Sequence, residues 1–359
     1  YKEVMGIEIN PGMDKKDFKI VFSPQHGTSN IPVRECLKRL GYQIIPVLAQ
    51  CAPDPDFSNT ASPNPEVPSS YDLAIKKAKE VDADVVVICD PDGDRLGVVA
   101  KHNGEYVLMS GNQSAAVYLE YILSQLKEKG TLPDNAVMYN TIVTSDLGEL
   151  VARSYGVDVE KTLTGFKFIG DKIRKYEYTG EKQFIFGYEE SYGCVVKDFV
   201  RDKDAIQAVL TAAEAGNYYK QHGKDLVDVL NDLYAKHGTF KETQIALSKA
   251  GVEGAARIKE IMADLRKDNP TQIAGYKVVS IEDYQTSVKT QGDHTSTIDL
   301  PKSNVLKYYL EDGSWIAARP SGTEPKCKFY FSIKGQNQED AASKTDVFHK
   351  AMMEMIHEA

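Results

Sequence analysis

The 359-residue sequence has no basic run, no CxxC pair and no long apolar stretch, and each absence removes a class of function. Lysine and arginine number 43 against 52 aspartates and glutamates, a net charge of −9, so no nucleic-acid partner is expected. An anionic substrate must then meet positive charge gathered in one place. Cys36, Cys51, Cys89, Cys194 and Cys327 are odd in number and scattered, which argues against a disulfide framework or a zinc site and for a reducing, cytoplasmic setting. The seven histidines form no HxxxH or HExxH pair. No apolar run approaches a membrane span and no signal peptide is visible, so no membrane partner is expected.

What is present reads as alternating strands and helices. "FKIVF" (18–22) is a short apolar run, and 31–41 has helical spacing with Val33, Cys36, Leu37 and Leu40 on one face and Gly41 as a stop. "YQIIPVL" reads as an edge strand because of Pro46, and "ADVVVIC" (83–89) as a buried parallel strand. A second block has helices near 112–128, 146–154 and 203–220, with strands near 137–144 and 183–188 between them. The last third changes character. Helices near 224–236 and 253–267 precede the strands "YKVVSI", "VLKYYL", "SWIAA" and "KCKFYFSI" and a final helix near 337–357. The expected fold is α/β, with two βαβ-type mixed-sheet domains (1–103 and 104–236) followed by a smaller α+β domain (237–359).

Three stretches carry chemistry. "CDPDGDRLG" places Asp90, Asp92 and Asp94 after a buried strand, where ligands of open α/β sheets bind. Three carboxylates this close repel one another unless a cation intervenes, and a hard ion such as Mg²⁺ suits them. An EF-hand does not fit, because its twelfth position is Lys101. Arg95 is placed to orient a carboxylate or meet a phosphate. In "GYEESYG" (187–193), extended geometry points Glu189 and Ser191 to one side and Glu190 to the other, a clamp for vicinal sugar hydroxyls. In "ARPSGTEPKCKF" (318–329), Arg319, Ser321, Gly322 and Thr323 can make an anion nest, with Lys326 and Lys328 nearby. Weaker signals are Thr164, Gly165 and Lys167 at a strand-to-helix turn, and Arg201 and Lys203 just before a helix, where a cation opposes the helix dipole and so suggests another use. His26 suits a structural role as well as a catalytic one.

In this order, "DPDGDR", "TGFK", "GYEESYG", "RDKDA" and "RPSGTEPK" resemble the α-D-phosphohexomutase superfamily, the phosphoglucomutase/phosphomannomutase group, from about residue 18 to 333. The resemblance implies Mg²⁺ on Asp90, Asp92 and Asp94, a sugar loop from Glu189 to Ser191 and a phosphate loop from Arg319 to Thr323. It implies phosphosugar and sugar-bisphosphate partners, and a phosphoserine that gives and regains a phosphoryl group. Arg95 and Lys167 are the expected catalytic groups. Thr164, Gly165, Arg201 and Lys203 are expected to bind substrate. Some members carry a His near the position of Gly193, so the general base is open. The family's serine loop reads Thr-Ala-Ser-His-Asn-Pro and lies a domain upstream of the aspartate loop. Here "TASPNPE" has Pro63 in place of that His, and Ser62 stands only 28 positions before Asp90. It matches instead the Pro-Asn-Pro-Glu stretch of the family's second domain. Ser62 is therefore read as a look-alike. With Tyr1 as the first residue, domains two to four are expected without the serine domain, in a chain inactive by itself. Two other readings remain at this point. One is a haloacid-dehalogenase-type phosphotransferase with Asp90 as nucleophile and Asp92 as acid/base. The other is a non-catalytic sugar-phosphate-binding module.

Overall fold

Lys19–Ser23 (β1) is buried along nearly all its length, as a strand covered on both faces must be. Gln43–Pro46 (β2) pairs in parallel on one side of it and ends the sheet, where Pro46 forfeits no ladder bond. Val85–Cys89 (β3) pairs in parallel on the other side, Ile20 with Val85 through Ser23 with Ile88. Leu96–His102 (β4) and Glu105–Met109 (β5) then continue the sheet antiparallel, in the order β2-β1-β3-β4-β5. So "ADVVVIC" is parallel on one edge only. The cause is loop length: only Asp90–Arg95 separates β3 from β4, enough for a hairpin but not for a parallel crossover. This computed structural model describes residues 1–249, 251–322 and 324–358, and the chain divides into two units, Tyr1–Leu233 and Tyr234–Ala359.

The first unit holds a second sheet built the same way. Ala136–Thr141 (β6) pairs in parallel with Asp158–Thr162 (β7) and with Gln183–Tyr188 (β8). Cys194–Val195 (β9) returns antiparallel to β8, giving the order β7-β6-β8-β9. The connection between β8 and β9 is the Glu189–Gly193 loop. The two loops that bear carboxylates are thus the hairpin turns of two sheets. Helix Gly111–Glu128 starts at a capping box of Ser110 and Gln113, and helix Ala205–Gln221 at Asp204, whose Oδ1 accepts the N–H of Ile206 and Gln207. Both helices are mostly buried.

The segment before β1 is held by polar contacts to these helices. Asn10 N–H donates to Glu214 Oε1 at 2.5 Å, and its amide reaches Tyr121 Oη and Gln125 Oε1. Lys15 and Glu8 form an ion pair of 2.6 Å with both side chains buried.

The second unit is one antiparallel sheet with helices. Its strands are Thr239–Ser248 (β10), Gln272–Ile273 (β11), Tyr276–Asp283 (β12), Val288–Gln291 (β13), His294–Thr297 (β14), Leu306–Leu310 (β15), Trp315–Pro320 (β16) and Lys326–Gly335 (β17). The order is β10-β17-β16-β15-β12-β13-β14, with β11 beside β12. Ile258, Ile261 and Leu265 of helix Gly251–Asp268 and Phe348 and Met352 of helix Gln338–Met355 share a core with Tyr308, Ile316, Phe329 and Phe331. Among the described residues no helix is long and apolar enough to cross a membrane.

Burial raises the Glu214 carboxyl above its ordinary value, while the Asn10 and Ile9 N–H groups pull it down. A carboxyl raised in the folded state adds stability below its unfolded value of about 4.5 and loses it as pH rises through the folded value. Glu214→Gln keeps the acceptor for Asn10 and removes that loss. The difference in Tm (variant minus wild type) should therefore grow as pH rises from about 4.5 through the raised folded value. A pH-independent difference in thermal melts contradicts this.

Candidate active site

The β3–β4 turn is organised by its own first aspartate. Asp90 is 7% exposed, and its Oδ1 accepts the N–H groups of Asp94 at 3.0 Å and Arg95 at 2.9 Å. Gly93, at φ +76°, donates its N–H to the Asp90 carbonyl at 3.1 Å, a conformation that glycine adopts without strain. Asp90, Asp92 and Asp94 each offer an oxygen within 4.8 Å of the others. Burial, opposed by the Arg95 N–H and then reinforced by the two neighbouring carboxylates, pushes Asp90 up to about 7. Asp94 Oδ1 is buried without a hydrogen-bond donor, with Arg95 Nε at 3.7 Å. Crowded oxygens with an unpaired buried member are a donor set for a hard divalent cation, so the residues fit Mg²⁺.

The second loop meets this turn directly. Arg95 and Gly193 form a β-bridge, and Leu96 N–H donates to the Tyr192 carbonyl at 2.9 Å. Glu189, 8% exposed, accepts the Gly165 N–H on Oε1 at 3.0 Å. Burial raises its pKa, and Lys203, the Gly165 N–H and Arg95 lower it in that order. Glu190 points elsewhere and takes the Thr141 hydroxyl at 3.0 Å, the divergence expected of neighbours. Ser191 is half-buried in the same loop, and Thr164 and Gly165 are half-buried beside Glu189.

Lys203 bridges the two loops. Its Nζ lies 2.8 Å from Asp94 Oδ2. It also lines an open cleft of about 740 Å³ with Lys167, Arg174, Arg201, Asp171 and Asp202. Lys167 is exposed there, its Nζ over the Phe168 ring. Arg201 is more committed: it pairs with Glu177 and donates to the carbonyls of Asp198 and Val200. Four basic side chains thus meet Asp171, Asp202 and Asp204 in this cleft.

The third motif belongs to the second unit and joins β16 to β17. Ser321 N–H donates to the Lys326 carbonyl at 2.7 Å and Ser321 Oγ accepts the Glu324 N–H at 3.2 Å, which closes a tight turn. Gly322 is exposed, with open space where a Cβ would stand. Arg319 is half-buried near Tyr330 Oη and pairs across the ladder with Lys328. Thr323 lies outside the described residues.

Glu66 escaped the sequence reading of the site. Its Oε1 holds Arg95 Nη1 at 3.1 Å, so the "PNPE" stretch serves to orient that guanidinium. The Ser62 carbonyl accepts the hydroxyls of Thr60 and Ser70, which fixes the bend before it. Thr28 holds the Pro91 carbonyl through its N–H at 2.8 Å and its hydroxyl at 3.2 Å. Gly27 lies against the same residue: a Cβ would come within 2.3 Å of Pro91 Cα. The His26 ring nitrogen Nδ1 lies 2.7 Å from the Ala52 carbonyl. The signals for Glu66, Thr28 and Gly27 were the "PNPE" and "PQHGTSN" runs, but their use depends on contacts 29 to 64 residues away.

The fold has counterparts among known proteins. Family models match residues 7–104 (phosphoglucomutase/phosphomannomutase, alpha/beta/alpha domain II), 110–237 (alpha/beta/alpha domain III) and 252–348 (C-terminal domain). A phosphoglucomutase of Staphylococcus epidermidis is 41% identical over 334 residues, covering 92% of this chain and 60% of that protein. One from Staphylococcus aureus is 41% identical over 92% of this chain and 59% of its own length. The chain thus spans about three-fifths of the curated relatives it matches. The fold is shared with the open form of the Paramecium phosphoglucomutase pp63/parafusin (TM-score 0.70, 19% identity, 100% of this chain, 62% of that one). It is shared also with a family protein from Burkholderia thailandensis (TM-score 0.65, 20% identity, 98% and 64%).

Asp92 is exposed, so Asp92→Ala should leave the fold intact and weaken Mg²⁺ binding by roughly 100-fold or more, as loss of a ligand would. Isothermal titration calorimetry reads this, and unchanged affinity removes Asp92 from the metal site.

Proposed function

The chain belongs to the phosphoglucomutase/phosphomannomutase family, and on that premise we propose that it supplies the metal-, sugar- and phosphate-holding parts of a Mg²⁺-dependent phosphohexomutase. The substrates are sugar 1- and 6-phosphates of glucose, mannose or both. The family-model limits support a division near 1–103, 104–236 and 237–359.

In the proposed reaction a phosphoserine passes its phosphoryl group to the free hydroxyl of a sugar monophosphate. The serine P–O bond breaks, a sugar P–O bond forms, and the sugar hydroxyl's proton ends on the freed serine oxygen. The bisphosphate turns over in the site and the other phosphoryl group returns to the serine. Ser62 is read as a look-alike of that serine, with support from its segment, which carries Glu66 to Arg95. Mg²⁺ held by Asp90, Asp92 and Asp94 supplies positive charge against the transferring group. Arg95, oriented by Glu66 and flanked by Asp90 and Asp94, adds a directed guanidinium. Lys167, exposed on the cleft, is placed to meet substrate oxygens and to move a proton. Glu189 and Ser191 hold sugar hydroxyls, with Thr164, Gly165, Arg201 and Lys203 around them. The Arg319–Thr323 turn grips the phosphate that does not react, so that remote binding energy positions the reacting end. Free, buried cysteines support a reducing, cytoplasmic setting.

One observation carries this reading: two hairpin turns from two sheets bring a triple carboxylate, Arg95, Lys203 and Glu189 into one charged constellation. A nucleophilic Asp90 draws no support from it, since Asp90 Oδ1 is taken by two backbone N–H groups.

The test is an assay of the 359-residue chain with glucose 1-phosphate, Mg²⁺ and glucose 1,6-bisphosphate, followed by intact mass. The expected outcome is bisphosphate binding without turnover or retained phosphate, with Glu189→Gln weakening that binding about 10-fold or more. Turnover with phosphate on Ser62 contradicts the proposal, and so does phosphate on Asp90.

A further inference from the structure

Lys203 is shared between the acidic turn and the cationic cleft. Its Nζ sits 2.8 Å from Asp94 Oδ2, while its stem crosses Gly193 so closely that a Cβ there would meet Lys203 Cδ at 2.2 Å. The stem is thereby fixed and the ammonium moves only about its outer bonds. Lys203 also lines the 740 Å³ cleft, where Lys167, Arg174 and Arg201 stand with Asp171, Asp202 and Asp204. A divalent cation approaching the three aspartates meets a positive charge already held on one of them. Asp94 Oδ1 still lacks a donor, so the turn keeps an acceptor for that cation while Lys203 holds Oδ2. A phosphate dianion in the cleft is a stronger partner for an ammonium than one shared carboxylate.

We propose that Lys203 couples the two binding events: its ammonium competes with the divalent cation for Asp94, and an anionic ligand in the cleft draws it away and so tightens the cation's hold. This deepens the metal reading above and rests on it. Linkage is reciprocal, so the cation must tighten the phosphosugar by the same factor. A purely structural ion pair makes the opposite prediction, because removing it would loosen the aspartate turn and weaken the metal.

The experiment is calorimetric titration of Mg²⁺ into the 359-residue chain, with and without saturating glucose 1-phosphate, for wild type, Lys203→Met and Lys203→Arg. Lys203→Met keeps the stem over Gly193. It should bind Mg²⁺ about 5-fold tighter than wild type, the scale of one half-buried ion pair. Glucose 1-phosphate should tighten Mg²⁺ by a similar factor in wild type and Lys203→Arg and hardly at all in Lys203→Met. If Lys203→Met does not fold by circular dichroism, Lys203→Gln takes its place. Equal or weaker Mg²⁺ binding by the neutral variant overturns the inference, as does coupling that survives the loss of charge. A wild-type chain that takes up no Mg²⁺ overturns the metal reading itself, and the inference with it.

Discussion

Three carboxylates in one short turn repel each other, and the first unit is arranged around containing that repulsion. Asp90 spends one oxygen on the backbone of its own loop. Arg95 lies against Asp90 and Asp94 and is itself held by Glu66. Lys203 reaches Asp94 from the loop between β9 and helix Ala205–Gln221. Thr28 and Gly27 pin the turn from behind at Pro91. Each partner comes from a different part of the chain, so the site forms only when both sheets do.

The same device serves twice. In each sheet a parallel strand turns back into an antiparallel neighbour through a short loop at its carboxyl end, where ligands of such sheets bind. In the proposed function one loop offers acidic oxygens for a cation, and the other offers Glu189, steadied by the Gly165 N–H, for hydroxyls. The Arg95–Gly193 bridge then makes the two loops one surface.

Much of this was legible in sequence because it is local. "DPDGDR" after a buried apolar run states both the turn and its chemistry. The capped helix at 111–128 and the final helix at 338–355 show their period plainly. Strands such as His294–Thr297, exposed at every position, carry no alternation of apolar residues and went unread. β4 and β5 went unread as strands, although mixed sheets were expected and the loop after β3 is too short for a parallel crossover. Glu66 and Lys203 show the other limit. Their types and rough usefulness are visible, but their partners Arg95 and Asp94 are fixed by tertiary contact across 29 and 109 residues.

The central claim is that the aspartate turn holds a divalent cation beside the phosphosugar. The most direct measurement is ³¹P NMR of glucose 1,6-bisphosphate bound to the 359-residue chain, with Mn²⁺ replacing Mg²⁺. Paramagnetic broadening falls steeply with distance. The account predicts that one phosphorus signal broadens selectively in the wild-type chain and that Asp92→Ala abolishes the effect. Equal broadening of both signals in the two proteins would contradict it.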